Sequence, residues 1–405
     1  MCTTLPQFSA SRAAGPQARL AGGDENGSGP GSIDRLREIP APSPDGEASA
    51  LSPDASAWLD ALRAFLIAQV VLGHFAAMAL PEIPELGGRD STFAAVVVAY
   101  RITTRFGAQA AFVFVFLSGF LVGGPLLAAR REGRTIRFAS FARRRLARIL
   151  PTLWIAVCLC ACLDTLGAFG LGAAGVYASQ RAYDFVAAMT ARNFVGNLIC
   201  LEPTFVEAFG SNGPLWTLGY IVQFYLAGFL LFRLIAWRTG WPLAFAACLL
   251  LTALACRPEW ACLFAVWCLG AAARVIPAGD RFGSWPSLVV GAALFVAANR
   301  APSLASIFMC GAAGVLVQGW VRATSARLAA APRRALSWIA SLGYETYAVH
   351  YPVAFFIFAV CFRERAGDIG TFALFVAAAS LVVVLISLTI RRIVALSSAS
   401  LVGRT

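Results

Sequence analysis

The whole chain contains two histidines, His74 and His350, and both fall inside long apolar runs. Imidazole is the side chain best suited to taking and giving protons near neutral pH. Ionisable groups at membrane depth usually face a cavity or a partner. Each ring is therefore a candidate for acid–base or nucleophilic chemistry, with a neutral imidazole bridging two helices as the plainer alternative. Arg63 precedes His74 by eleven residues, close to three helical turns or about 16 Å of rise, so the two share a face. Asp60, three residues ahead of Arg63, can neutralise it. An arginine near one end of a helix and a histidine deeper on the same face suit an anionic group entering at the arginine end and a reaction further in. Snorkelling of Arg63 to lipid headgroups explains that arginine equally well.

His350 stands two residues before Pro352. Proline inside a helix lacks its own N–H and frees the carbonyl four residues back, here that of Ala348. A kink and a free carbonyl beside a histidine suggest a polar pocket. Tyr347 lies one turn before His350 on the same face and Tyr344 two turns before, although packing is the ordinary role of such tyrosines. A second chemistry is offered by Arg143, Arg144, Arg145 and Arg148, which lead into Pro151 and Trp154. Guanidinium forks bind phosphate bidentately, while lipid anchoring accounts for the same charges without a ligand. In Phe116-Leu117-Ser118-Gly119-Phe120-Leu121 the two small residues permit close helix approach. No Cys/His spacing suits a metal, and cysteines such as Cys158, Cys160 and Cys310 read as small buried hydrophobes. A Cys256–Cys262 pairing across a short turn stays open.

Helices in lipid must position all of these groups. Of 405 residues, 59% are hydrophobic and 13% charged, against roughly 25% charged in soluble domains. A water-soluble globule, a disordered chain and a secreted disulfide scaffold are excluded. The apolar residues fall into about ten spans, near 58–80, 106–129, 146–168, 214–236, 241–256, 259–276, 284–299, 302–321, 335–361 and 369–390. The expectation is an all-α polytopic membrane protein. Residues 1–56, rich in Gly, Pro, Ser and Ala, read as a disordered segment, 57–395 as the transmembrane domain and 396–405 as a short tail. Every one of the 33 basic residues is arginine, and they lie between apolar runs, which argues against nucleic-acid binding. About twice as many loop arginines fall on one side as on the other. That bias places both termini in the cytoplasm. The longest outward connection, about 170–213, ends in Ser211-Asn212-Gly213-Pro214, where Ser211 or Asn212 can cap the next helix.

Five phrases, spread from Trp58 to Pro352, together resemble the acyltransferase 3 family of integral-membrane O-acyltransferases. They are Asp60-Ala61-Leu62-Arg63 with His74, the run Phe116 to Leu121, Phe141 to Arg145 with Arg148 and Pro151, Gly213 to Leu218 with Phe224-Tyr225, and Tyr344 to Pro352. The resemblance implies a multi-pass protein of the bacterial inner membrane. It would move an acyl group, often acetyl from acetyl-CoA, to a hydroxyl of a surface glycan or related glycolipid acceptor. No permanently bound cofactor is implied, only acyl-CoA as donor substrate. Arg63 and His74 occupy the positions regarded as catalytic, and Arg143, Arg145 and Arg148 the basic motif linked to the donor. The chain departs from the family pattern at Ala64, at Gly343 and at Ile221, where a glutamate is usual.

Acyl transfer from a thioester to an alcohol needs the hydroxyl proton removed and the oxyanion stabilised. His74 is the candidate base, or a transient acyl carrier. Arg63 would stabilise the oxyanion or hold phosphate, and His350 and Tyr347 would support the cavity by hydrogen bonds. A transporter or flippase would predict internal repeats and ionisable groups over many spans, which the later spans lack. An inactive family member is the remaining alternative, resting on Ile221.

Overall fold

The computed structural model describes residues 51–178, 184–234, 257–276, 285–324 and 326–402, and the regular elements among them are all helices. Helix α1, Pro53–Ala79, starts where Ser52 accepts a hydrogen bond from the Ala55 N–H and Pro53 fills the first turn. After it comes α2, Ser91–Thr104. The sequence reads as a connection there, because β-branched residues weaken its helix propensity. Packing reverses that preference. Asp90 accepts from the Phe93 N–H at 2.8 Å, and Gly73 of α1 lets the Thr104 carbonyl come within 2.6 Å of where a Cβ would stand.

Helix α3, Gly107–Ser118, passes through a π turn at Gly119–Gly123 into α4, Gly124–Arg131. The long α5, Phe138–Thr165, carries the arginine cluster and Pro151. The outward connection holds two short helices, α6 (Ala174–Ala178) and α7 (Ala191–Leu198), before α8, Trp216–Leu234. Then follow α9 (Pro258–Val275), α10 (Trp285–Ala298), α11 (Ser303–Ala323), α12 (Ala330–Ser341), α13 (Gly343–Ile357) and α14 (Ile369–Val402).

Seven helical stretches among the described residues are long and apolar enough to cross a bilayer. The protein is therefore an all-α, multi-pass membrane protein. The expected span at 241–256 lies outside the described residues, as do Cys256 and residues 1–50. The single span expected at 335–361 is two helices. The chain breaks at Leu342–Gly343, where a Cβ on Gly343 would stand 2.2 Å from the Ile67 side chain. At the other end α14 runs to Val402, past the expected limit of residue 395.

Small residues set a close helix contact near the site. A Cβ on Gly119 would fall 1.9 Å from the Trp267 carbonyl oxygen, and one on Gly270 would fall 2.1 Å from that of Phe116. The Ser118-Gly119 phrase thus brings α3 and α9 backbone to backbone. The π turn begins at this point and leaves Ser118 facing inward, a local irregularity often found at functional sites.

Candidate active site

Helices α1, α3, α5, α8 and α13 enclose a cavity of about 460 Å³, with Ala340 of α12 completing its wall. Small-molecule sites have this size. Its lining on α8 runs from Thr217 to Tyr225, about 12 Å along the helix. Arg63, Arg145, Arg148 and Tyr225 stand at one end, and Phe114, Thr217 and Tyr347 at the other. Ile67, Leu117, Leu218 and Ile221 make the walls between apolar.

The basic end is short of counter-charge. Arg63 lies 3.5 Å from Asp60, whose other oxygen accepts from Ser337 Oγ at 2.9 Å. Arg145 and Arg148 have no ion pair among the described residues, and Arg145 Nε is buried without a partner. A buried guanidinium nitrogen without an acceptor is costly, so Arg145 carries unmet donor capacity at this end. Arg143 is exposed and does not line the cavity.

The inner end is closed by hydrogen bonds. Tyr347 Oη is bonded to both the Thr217 hydroxyl and the Pro214 carbonyl. A carbonyl only accepts, so the phenol proton goes to Pro214 and Thr217 donates to Tyr347. Tyr344 Oη donates to the Ile149 carbonyl at 2.8 Å and ties α13 to α5. The Phe114 and Tyr347 rings, 6.4 Å apart, face each other across this end.

Neither histidine lines the cavity. His350 sits beyond the Tyr347 ring, 5.8 Å between centroids, and His74 lies a further 5.3 Å on. His350 is fully buried, with Nδ1 2.8 Å from the Tyr347 carbonyl. That contact fixes the proton on Nδ1 and leaves the lone pair on Nε2, which has no hydrogen-bond partner among the described residues. His74 is half-buried and edges onto Tyr351, 5.0 Å away. The structure therefore aligns Arg63, Tyr347, His350 and His74 in sequence but puts Tyr347 between the arginines and the imidazoles.

The Ala348 carbonyl freed by Pro352 does not open a pocket. Asn212 Nδ2 donates to it at 3.0 Å and clamps the outward connection onto α13. The expected capping of α8 by Ser211 or Asn212 is accordingly absent. Ser211 instead gives both its N–H and its hydroxyl to Asp164, at 2.7 and 2.8 Å, and Cys160 adds a third donor at 3.2 Å. A buried carboxylate and a freed carbonyl both need donors where no water competes, and these demands outweigh the cap.

Glu202, which sequence reasoning passed over, is 3% exposed and its Oε2 has no partner. Its seat is tightly made. Gly219 admits the Glu202 carbonyl to within 1.8 Å of a would-be Cβ, and Gln223 bonds Thr204 at 2.7 Å and the Cys200 carbonyl at 3.2 Å on either side. Burial pushes this carboxyl well above the ordinary carboxylate range, which favours its protonated form in the folded protein. Its contribution to stability is complete below the unfolded value and is lost as pH rises through the folded one. Over that interval the loss is about 1.4 kcal/mol per pH unit. Glu202→Gln, which cannot ionise, should show a thermal midpoint that falls less than that of the parent between pH 5 and 8. Parallel profiles would mean that the carboxyl is already ionised.

An acyltransferase domain family model matches residues 56–392, most of the chain. No curated protein and no solved structure matches.

Proposed function

The chain belongs to the acyltransferase 3 family, and from that membership we propose that it transfers an acyl group, acetyl by family expectation, from acyl-CoA to a hydroxyl of a carbohydrate or glycolipid acceptor. One observation carries the reading. A cavity opens among three arginines, two of them without an ion pair among the described residues, and ends one ring away from the buried His350 imidazole, which packs against that of His74. On this reading Arg145 and Arg148 hold donor phosphates by charge-assisted bonds, and the rest of the donor lies along the apolar walls with its thioester at Thr217 and Tyr347. The bilayer surrounds the bundle, the arginine-rich face and both termini are cytoplasmic, and the acceptor arrives from the opposite side. The membrane is the bacterial inner membrane.

His74 is the accessible ring of the pair and receives the acceptor's hydroxyl proton. The oxygen forms its bond to the acyl carbon while the carbon–sulfur bond breaks, and the imidazolium returns the proton to the thiolate. An ester and a free thiol result. His350 stands next to Tyr347 with its tautomer set by the Tyr347 carbonyl, and its ring packs against that of His74. Tyr347 must leave Pro214 and Thr217 for the thioester to meet the imidazoles, so transfer needs a local opening at that ring.

The reading is tested by mass spectrometry of surface glycans from a strain lacking the protein against its parent. The deletion should remove an acyl increment from one glycan, and the intact gene should restore it while His74→Ala should not. Identical glycan masses in the two strains, with donor hydrolysis absent from the purified protein, would overturn the assignment.

A further inference from the structure

The arginine-rich end of the molecule carries a face that acyl transfer does not use. On α12, Arg334, Trp338 and Ser341 are spaced i, i+4 and i+7, which sets them in one line about 10 Å long. All three are exposed, Trp338 by 49%. At the end of the line Arg391 of α14 donates from Nη1 to Ser341 Oγ at 2.7 Å. Arg333 is exposed beside the line. Neither Arg333, Arg334 nor Arg391 has an ion pair among the described residues.

Cations flanking an exposed indole match one environment, the boundary between acidic headgroups and acyl chains. The guanidinium planes offer paired donors to phosphate. The indole suits the interfacial level, where one edge is wet and the other apolar. A free phosphate-bearing solute would neutralise the arginines but leave the Trp338 indole uncovered. The flank of α12 next to this line touches the site. Ser337 donates to Asp60, the partner of Arg63, and Ala340 lines the cavity.

We propose that the Arg334–Trp338–Arg391 face binds the headgroups of acidic phospholipids and that this contact ties α12 to α14, bracing the helix whose Ser337 holds Asp60 of α1. Part of the consequence rests on the acyl-transfer reading: a braced α12 steadies Asp60 and Arg63 at the donor end, so acidic lipid should tighten donor use. The binding itself does not depend on that reading.

The protein is placed in nanodiscs of phosphatidylcholine, with or without a quarter of phosphatidylglycerol, and its thermal midpoint is followed without substrate. Phosphatidylglycerol should raise the midpoint of the parent by several degrees and leave that of Arg334→Gln/Arg391→Gln unchanged, with Arg334→Lys between the two. Equal midpoints of parent and double variant in phosphatidylcholine alone establish that the variant folds. Arg334→Gln by itself keeps the Arg391–Ser341 bond and should lose about half of the gain. If the double variant gains as much from phosphatidylglycerol as the parent does, the face is not the lipid site. If instead CoA, in phosphatidylcholine discs, raises the midpoint of the parent but not of the double variant, the arginines belong to the donor and the proposal falls. A midpoint gain without a lower donor KM would retain the lipid site and remove its link to Arg63.

Discussion

His74→Ala should leave the helices assembled and lower acyl transfer by about 10²–10⁴-fold, the usual cost of removing a positioned base. The ring is half-buried and its substitution leaves α1 with a small residue well suited to a helix. Assembly can be checked by an unchanged elution profile in detergent. The loss should fall on kcat with acceptor KM nearly constant, because the proton is taken only as the new bond forms. His350→Ala should cost less than His74→Ala. Its Nδ1 is committed to the Tyr347 carbonyl, so its part is to hold the ring against which His74 packs, 5.3 Å away. His350→Gln, whose amide can donate to the same carbonyl, should keep more activity than His350→Ala, a rescue that a merely space-filling ring would not produce. Full activity in both alanine variants would take histidine chemistry out of this protein.

Much of this arrangement was legible in the sequence because membrane helices leave few options. With charge at 13%, each polar group in an apolar run stands out, and Arg63, His74, His350 and Tyr347 were legible for that reason. The eleven-residue step from Arg63 to His74 fixed their common face on α1 correctly, since an unbroken helix has one rise per residue. Asp164 carried the same signal, a lone carboxyl in an apolar run, and proved to be an anchor for Ser211. Its role turns on a residue 47 positions away, which no local pattern encodes. Glu202 was hidden by its setting in a connection between spans, where a glutamate looks solvated. The close approach of Gly219 to its backbone carbonyl belongs to the packing that buries it. The helix break at Gly343 was equally invisible, because it depends on where Ile67 of a distant helix lands. The separation of the arginine cavity from the histidines by Tyr347 also required three dimensions. The sequence placed them on one face but could not say what stood between.

The arginine end makes its own demand on experiment, because Arg143, Arg145 and Arg148 share one helix and only two of them reach the cavity. Arg148→Ala and Arg145→Ala should each raise the donor dissociation constant about ten-fold or more, since a charge-assisted bond contributes roughly 1.5–3 kcal/mol. Acceptor preference should not change. Arg143→Ala should leave the donor constant where it was, as its side chain is exposed and off the lining. Lysine at 145 or 148 keeps the charge but loses the planar fork, so it should recover part of the binding. Donor titration on the purified variants reads all of this directly. The competing account, in which the cluster serves only to orient the chain in the membrane, makes a different set of expectations. It holds that all three arginines are equivalent, that lysine restores everything, and that alanine lowers the yield of inserted protein without touching the donor constant. Arg145 is the sharper of the two tests. Its Nε is buried without an acceptor, a cost that a phosphate in the cavity removes and that orientation in the membrane does not. If the donor constant of Arg145→Ala equals that of Arg143→Ala, the cavity is not where the donor's phosphates bind.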